Sequence, residues 1–143
     1  CDLVYADTTA KLAVPFINLG AVPEGGSSYL MPRIMGNVRA AELLMLGEVF
    51  NGQKAKEYGL VNDVVEPAKL METATAAARK LAQRPPAALR ITKSLLKRWN
   101  RDTLDKVIPT ELELFAQQLR SPEAKEAMTA FFEKRKPDFS SFK

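Results

Sequence analysis

The sequence predicts an α/β chain in which helices predominate. Over residues 1–66, short Val- and Leu-rich segments alternate with short helical ones, with Gly and Pro as punctuation. From Pro67 onward apolar residues recur at helical spacing as far as Phe132. A length of 143 residues, 46% hydrophobic and 27% charged, suits a globular chain able to bury a core. We therefore expect a layered α/β region over 1–66 and a mostly helical region over 67–143.

The first segments, Asp2 to Ala6 and Lys11 to Val14, read as strands separated by the turn-prone Asp7-Thr8-Thr9. Pro15 and Pro23 bracket an apolar connection that Gly20 interrupts. Ser28 to Met35 has helical character up to Gly36, although Pro32 argues for an irregular turn. Asn37 is expected to cap a helix from Val38 to Leu46, stopped at Gly47. Gly52 to Tyr58 reads as another helix, and Leu60 to Val65 as a strand.

In the second region Pro67 opens a helix with Leu70, Ala74, Ala77, Ala78 and Leu81 on one stripe. Pro85-Pro86 ends it and begins the next, which puts Ala88, Thr92, Leu95 and Trp99 on one side. Asp102 to Leu119 is expected to be a further helix that Pro109 kinks or splits. Ser121-Pro122-Glu123 has the form of an N-cap, a first helical proline and an acidic first turn. About four helices are expected here.

One carboxylate stands apart. From Leu12 to Pro32 the only charged side chain is Glu24, set between apolar Leu19, Ala21 and Val22 and the pair Gly25-Gly26. Partial burial there would disfavour the ionised form and tune the group for proton transfer. The glycines allow close approach to a ligand, and Ser27 or Ser28 can cap the following helix. The structural alternative for Glu24 is a charge at a helix N-terminus.

Other chemistry is bounded by composition. The chain has no His, so a His-based triad or His-ligated metal has no residues here, and one Cys allows no internal disulfide. Cys1 reads as a small buried residue. No apolar run approaches the roughly 20 residues of a membrane helix. Residues 1–66 carry five Lys/Arg against eight Asp/Glu, and residues 67–143 carry sixteen against nine, so any phosphate-bearing partner is expected at the second region. Nucleic acid is a poor candidate, because no binding motif accompanies the basic residues.

Taken in order, Cys1-Asp2-Leu3-Val4-Tyr5-Ala6, Pro15-Phe16-Ile17-Asn18-Leu19-Gly20, Pro23-Glu24-Gly25-Gly26-Ser27-Ser28, Pro32-Arg33-Ile34-Met35-Gly36, Ala55-Lys56-Glu57-Tyr58-Gly59-Leu60-Val61 and Phe132-Glu133-Lys134-Arg135-Lys136-Pro137-Asp138-Phe139 resemble the enoyl-CoA hydratase/isomerase (crotonase) family over essentially the whole chain. The resemblance implies the C-terminal half of such a protein: the end of a ββα spiral, then a helical region that builds homotrimers or hexamers. It also implies an acyl-CoA thioester substrate, with CoA as part of the substrate and no separate cofactor or metal.

Within the family the chain is most similar to Δ3,Δ2-enoyl-CoA isomerases of the peroxisomal type. Hydratases of the family place a catalytic glutamate after the proline of the turn that here reads Pro15-Phe16-Ile17, and Phe16 cannot activate water. Glu24 follows Pro23 instead, as in the isomerases, and is the implied catalytic base. Phe16, Leu19, Phe132 and Lys134 are the implied substrate-binding residues, with Phe139 as an alternative to Phe132 and Arg135 and Lys136 beside Lys134. Lys134 also reads as a charge matched to a helix C-terminus. Oxyanion donors in this family come from loops that would precede Cys1, so the chain alone is expected to be inactive. The alternatives are a hydratase or another acyl-CoA reaction, and a non-catalytic oligomerising module that binds acyl-CoA. The ending Ser141-Phe142-Lys143 is not a peroxisomal signal, so a bacterial-type cytoplasmic setting is expected, with peroxisomal and mitochondrial ones left open.

Overall fold

A computed structural model of the chain describes residues 1–142. Its elements are β1 (Tyr5–Asp7), β2 (Lys11–Leu12), a 3-10 turn (Ile17–Leu19), α1 (Ser27–Met35), α2 (Asn37–Leu46), β3 (Phe50–Asn51), α3 (Gly52–Glu57), β4 (Asp63–Val65), a second 3-10 turn (Pro67–Lys69), α4 (Leu70–Ala82), α5 (Pro86–Gln118) and α6 (Pro122–Phe132). They group into two compact units: residues 1–12 with 50–103, and residues 13–49 with 104–142. Both are discontinuous, so the spatial grouping does not follow the compositional boundary at residue 66.

In the first unit β1 pairs in parallel with β4, Tyr5 opposite Asp63 and Asp7 opposite Val65. β2 pairs antiparallel with β3. Parallel strands need a long crossover, which is why segments far apart in sequence meet here. The buried apolar side chains are Ala6, Phe50, Ala55, Tyr58 and Val61. Asn51 caps α3, its side-chain oxygen accepting from the Lys54 N–H at 2.9 Å. α4 has Glu72 in its first turn and Arg79 and Lys80 in its last, each sign matched to the helix dipole.

In the second unit the buried apolar side chains are Ala21, Met31, Met35, Ala40, Leu43, Ala124, Ala127 and Ala130. Three alanines on one face of α6 let the backbone of the Ile17–Leu19 turn come close, and a Cβ on Gly20 would lie 2.7 Å from the Ala124 nitrogen. Ser121 caps α6 as expected, accepting from the Ala124 N–H at 3.1 Å.

Several local expectations are corrected. Asn37 is already helical, and the cap residue of α2 is Gly36 (φ 83°, ψ 159°), a conformation almost confined to glycine. Neither Ser27 nor Ser28 caps α1 by its side chain; Gly26 holds that position at φ 81°. Pro32 lies inside α1 without ending it. The helices expected on either side of Trp99–Asp102 are one 33-residue helix, α5, and Pro109 does not split it. The second region thus has three α-helices among the described residues. Cys1 is exposed, not buried. Leu95 and Trp99, read as lying on one side of their helix, are 49% and 77% exposed. No helix of the described residues is long and apolar enough to cross a membrane.

Candidate active site

The stretch from Phe16 to Ser28 is built by short-range backbone bonds. The Phe16 carbonyl accepts from the Leu19 N–H at 3.0 Å and the Ala21 N–H at 2.9 Å, closing a turn that Gly20 completes at φ 63°. Asn18 secures the turn by donating from Nδ2 to the Gly47 carbonyl at 2.7 Å. The chain then passes Val22 and Pro23 to Glu24. The Glu24 carbonyl accepts from the Ser27 N–H at 3.1 Å and from the Ser27 hydroxyl at 2.7 Å. Gly25 and Gly26 turn the chain into α1 with φ of 67° and 81°, values that cost other residues strain.

Glu24 is exposed, and among the described residues its carboxylate has no hydrogen-bond or ion-pair partner. The partial burial expected of it is therefore absent from this chain, because the carboxylate projects from the turn and not into it. Its flanking residues Val22 and Pro23 line an apolar cleft of about 380 Å³ with Ile17, Ala40, Leu44 and Met45. A second cleft of about 300 Å³ is lined by Ile17, Gly20, Val22, Gln118 and Phe139.

The other expected residues divide. Phe16 is half-buried and meets Phe115 edge to face, with ring centres 6.4 Å apart. Leu19 is 38% exposed and lines neither cleft. Phe132 is 74% exposed at the end of α6 and packs against Phe131. Lys134 follows with φ 55° and is exposed. No hydrogen bond, ion pair or ring contact among the described residues joins Phe132 or Lys134 to the Pro23–Ser28 loop. Phe139, the alternative to Phe132, does reach a cleft beside Val22.

Arg135 is committed elsewhere. Its guanidinium donates to Glu126 at 2.5 and 3.0 Å and to Glu133 at 2.6 Å, a forked pairing that leaves it little capacity for phosphate. That pairing, with the Asp138 N–H, holds the Glu126 carboxyl at about 2, well below the usual carboxylate range. The Arg135–Glu126 clamp fixes the chain after α6, since one Glu126 oxygen also accepts from the Asp138 N–H at 2.9 Å.

One site residue escaped the sequence reading. Glu111 of α5 is 6% exposed. One of its oxygens accepts from the Gly26 N–H at 2.6 Å; the other accepts from the Ser28 N–H at 3.0 Å and from the Ser28 hydroxyl. The N-terminus of α1 is therefore capped by a carboxylate from another helix. A signal was present: Leu104, Ile108, Glu111 and Phe115 share one helical stripe, and an acid within an apolar stripe demands a partner. No cluster of three or more potential metal ligands occurs among the described residues.

The model of the family described as "Enoyl-CoA hydratase/isomerase" matches residues 1–142. The chain belongs to the enoyl-CoA hydratase/isomerase family. Among members of this family it is 34% identical over 136 residues to the short-chain-enoyl-CoA hydratase of Clostridium acetobutylicum, covering 95% of this chain and 52% of that protein. It is equally 34% identical to the 1,2-epoxyphenylacetyl-CoA isomerase of Escherichia coli, covering 97% and 53%. The crystal structure of an enoyl-CoA hydratase/isomerase from Pseudoalteromonas atlantica superposes with a TM-score of 0.93 at 36% identity, over 98% of this chain and 56% of that one. The chain spans about half the length of the family members it matches. The family thus agrees with the resemblance read from the motifs, and the fold is that of a solved family member.

Proposed function

We propose that the protein moves the double bond of a 3-enoyl-CoA thioester into conjugation at the 2-position, with Glu24 as the proton-transfer group. The observation that carries this reading is the pairing of positions: Glu24 stands on the glycine turn beside an apolar cleft, while the earlier turn offers Phe16 and no acid. Isomerisation needs one base that removes a proton from C2 and returns one to C4. A carboxylate on a short loop suits that shuttle, the cleft walled by Ile17, Val22 and Pro23 discourages addition of water, and Phe16, which lines neither cleft, offers no acid to activate it. The electron pair released at C2 is held as a dienolate until C4 is protonated, so no cofactor is consumed. Phe139 takes the role first given to Phe132 in lining the acyl path, and Lys134 remains the basic group offered to the CoA phosphates. Assembly into trimers or hexamers and a bacterial-type cytoplasmic setting belong to the same proposal.

Hydration is the second reading, favoured by relatives that carry that name. It asks for a second acid to cooperate with Glu24. Assay of the full-length gene product with a 3-enoyl-CoA, following the conjugated thioester, tests the proposal. Glu24→Gln is expected to lower isomerisation by about 10² or more. Retained turnover in that variant, or hydration of 2-enoyl-CoA as the sole activity, would overturn it.

A further inference from the structure

We propose that Glu111 is a positioning residue that sets where Glu24 points. The catalytic part of this inference rests on the isomerase reading above; the structural part rests on the geometry alone. Glu111 reaches Gly26 across 85 residues of sequence, and its oxygens take the amides on either side of Ser27. Two attachment points fix the orientation of the intervening peptides as well as their distance. Between that grip and the Glu24 Cα lie only Gly25 and Gly26, the residue type with the widest backbone freedom. Packing does not hold the turn at Gly25, where an added Cβ would meet nothing within 4 Å. Gly26 beyond it is buried against Leu104, Leu30 and Ile108, and the hydrogen bonds that hold the turn are the Ser27-to-Glu24 bonding and those to Glu111. Hydrogen bonds to a buried carboxylate are stronger than neutral ones, so Glu111 is the stiffest of these restraints.

A base that serves both C2 and C4 must keep its reach to each. If the loop drifts, Glu24 can still take the C2 proton, exchange it with solvent and return it to C2. The substrate then incorporates deuterium without isomerising. A residue needed only for folding would lower exchange and isomerisation together, so the ratio of the two separates positioning from plain stabilisation.

The test uses Glu111→Gln in the full-length gene product, in D2O. Glutamine keeps the shape but offers one acceptor oxygen, setting its NH2 group against one of the loop amides. We expect kcat for isomerisation to fall by about 10² with KM nearly unchanged, and C2 exchange per isomerisation to rise by about tenfold. Amide hydrogen exchange at Gly26 and Ser28 is read in parallel and is expected to speed up. Ser28→Ala, which keeps both amide bonds, gives a smaller change in the same direction. Unchanged amide protection in Glu111→Gln overturns the proposal, as does a fall in exchange and isomerisation in equal proportion. If the wild-type protein does not isomerise 3-enoyl-CoA, the isomerase reading fails, and amide protection at Gly26 and Ser28 alone decides whether Glu111 sets the loop.

Discussion

Replacing Gly20 by alanine probes the contact on which the Phe16–Leu19 turn depends. Gly20 has φ 63°, and a Cβ there would lie 2.7 Å from the Ala124 nitrogen and 2.8 Å from both the Ala124 Cα and the Glu123 carbonyl carbon. All three are backbone atoms, so no rotamer change relieves the clash. Left-handed strain for alanine costs about 1–2 kcal/mol, and overpacking against a rigid neighbour costs about 1–3 more. Gly25 supplies the control: its φ is 67°, yet an added Cβ meets nothing within 4 Å, so Gly25→Ala carries the strain without the clash. The expected loss is thus about 2–5 kcal/mol for Gly20→Ala and about 1–2 for Gly25→Ala. With a urea m value of about 2 kcal/mol/M, the midpoints fall by about 1–2.5 M and about 0.5–1 M. Equilibrium urea denaturation followed by far-UV circular dichroism reads both. Equal midpoints for the two variants would refute the close backbone approach between the turn and α6.

Two further outcomes follow from named contacts. Glu126, held at about 2 against an ordinary value of 4.5, contributes stability that is complete above about pH 4.5 and is lost as the pH falls through about 2. Thermal melts should therefore show wild type above Glu126→Gln at pH 6, with the gap closing toward pH 2; a gap independent of pH counts against the Arg135 clamp. Phe16→Glu in the full-length protein places an acid after Pro15, and some hydration of 2-enoyl-CoA should appear by loss of the conjugated absorbance, whereas loss of isomerisation without any hydration speaks against Phe16 as the position whose lack of an acid prevents hydration.

What could be read in the sequence was what local chemistry decides. Ser121-Pro122-Glu123 announced α6 because cap, first-turn proline and acidic residue all act within one turn. Gly36 and Gly47 were visible as stops for the same reason, but the identity of the cap was not: glycine at φ 83° carries the chain from α1 straight into α2, leaving Asn37 inside the helix. The break expected near Trp99–Asp102 had no Gly or Pro behind it, and Asn100 and Arg101 continue α5 without penalty enough to end it. Glu24 and Phe16 could be singled out because both lie on one short stretch, but the exposure of Glu24 could not, since it depends on how the turn is set in the fold. Glu111 was not, since its partners are more than 80 positions away and only its place on an apolar stripe betrays it. The Lys134-Arg135-Lys136 run looked uniform, yet Arg135 is taken by Glu126 and Glu133, which local sequence does not disclose.

The amides of the Glu24 turn bear on where the negative charge of a dienolate could be met. The Gly26 and Ser28 N–H groups go to Glu111, the Ser27 N–H goes to the Glu24 carbonyl, and the Tyr29 and Leu30 N–H groups go to the Gly26 carbonyl. The positive end of α1 is therefore already neutralised by a buried carboxylate and is not open to a second anion. Releasing Gly26 and Ser28 to serve as oxyanion donors would leave Glu111 buried with its charge unpaired, which is strongly unfavourable. On the isomerase proposal, this loop can supply the base, while its Gly26 and Ser28 N–H groups are already taken by Glu111 and are not available to the dienolate oxygen. On that geometry Glu24→Gln and the loss of an oxyanion donor are separable defects. The first removes proton transfer at C2 and C4 alike; the second weakens dienolate formation while leaving the Glu24 turn and its Glu111 anchor intact.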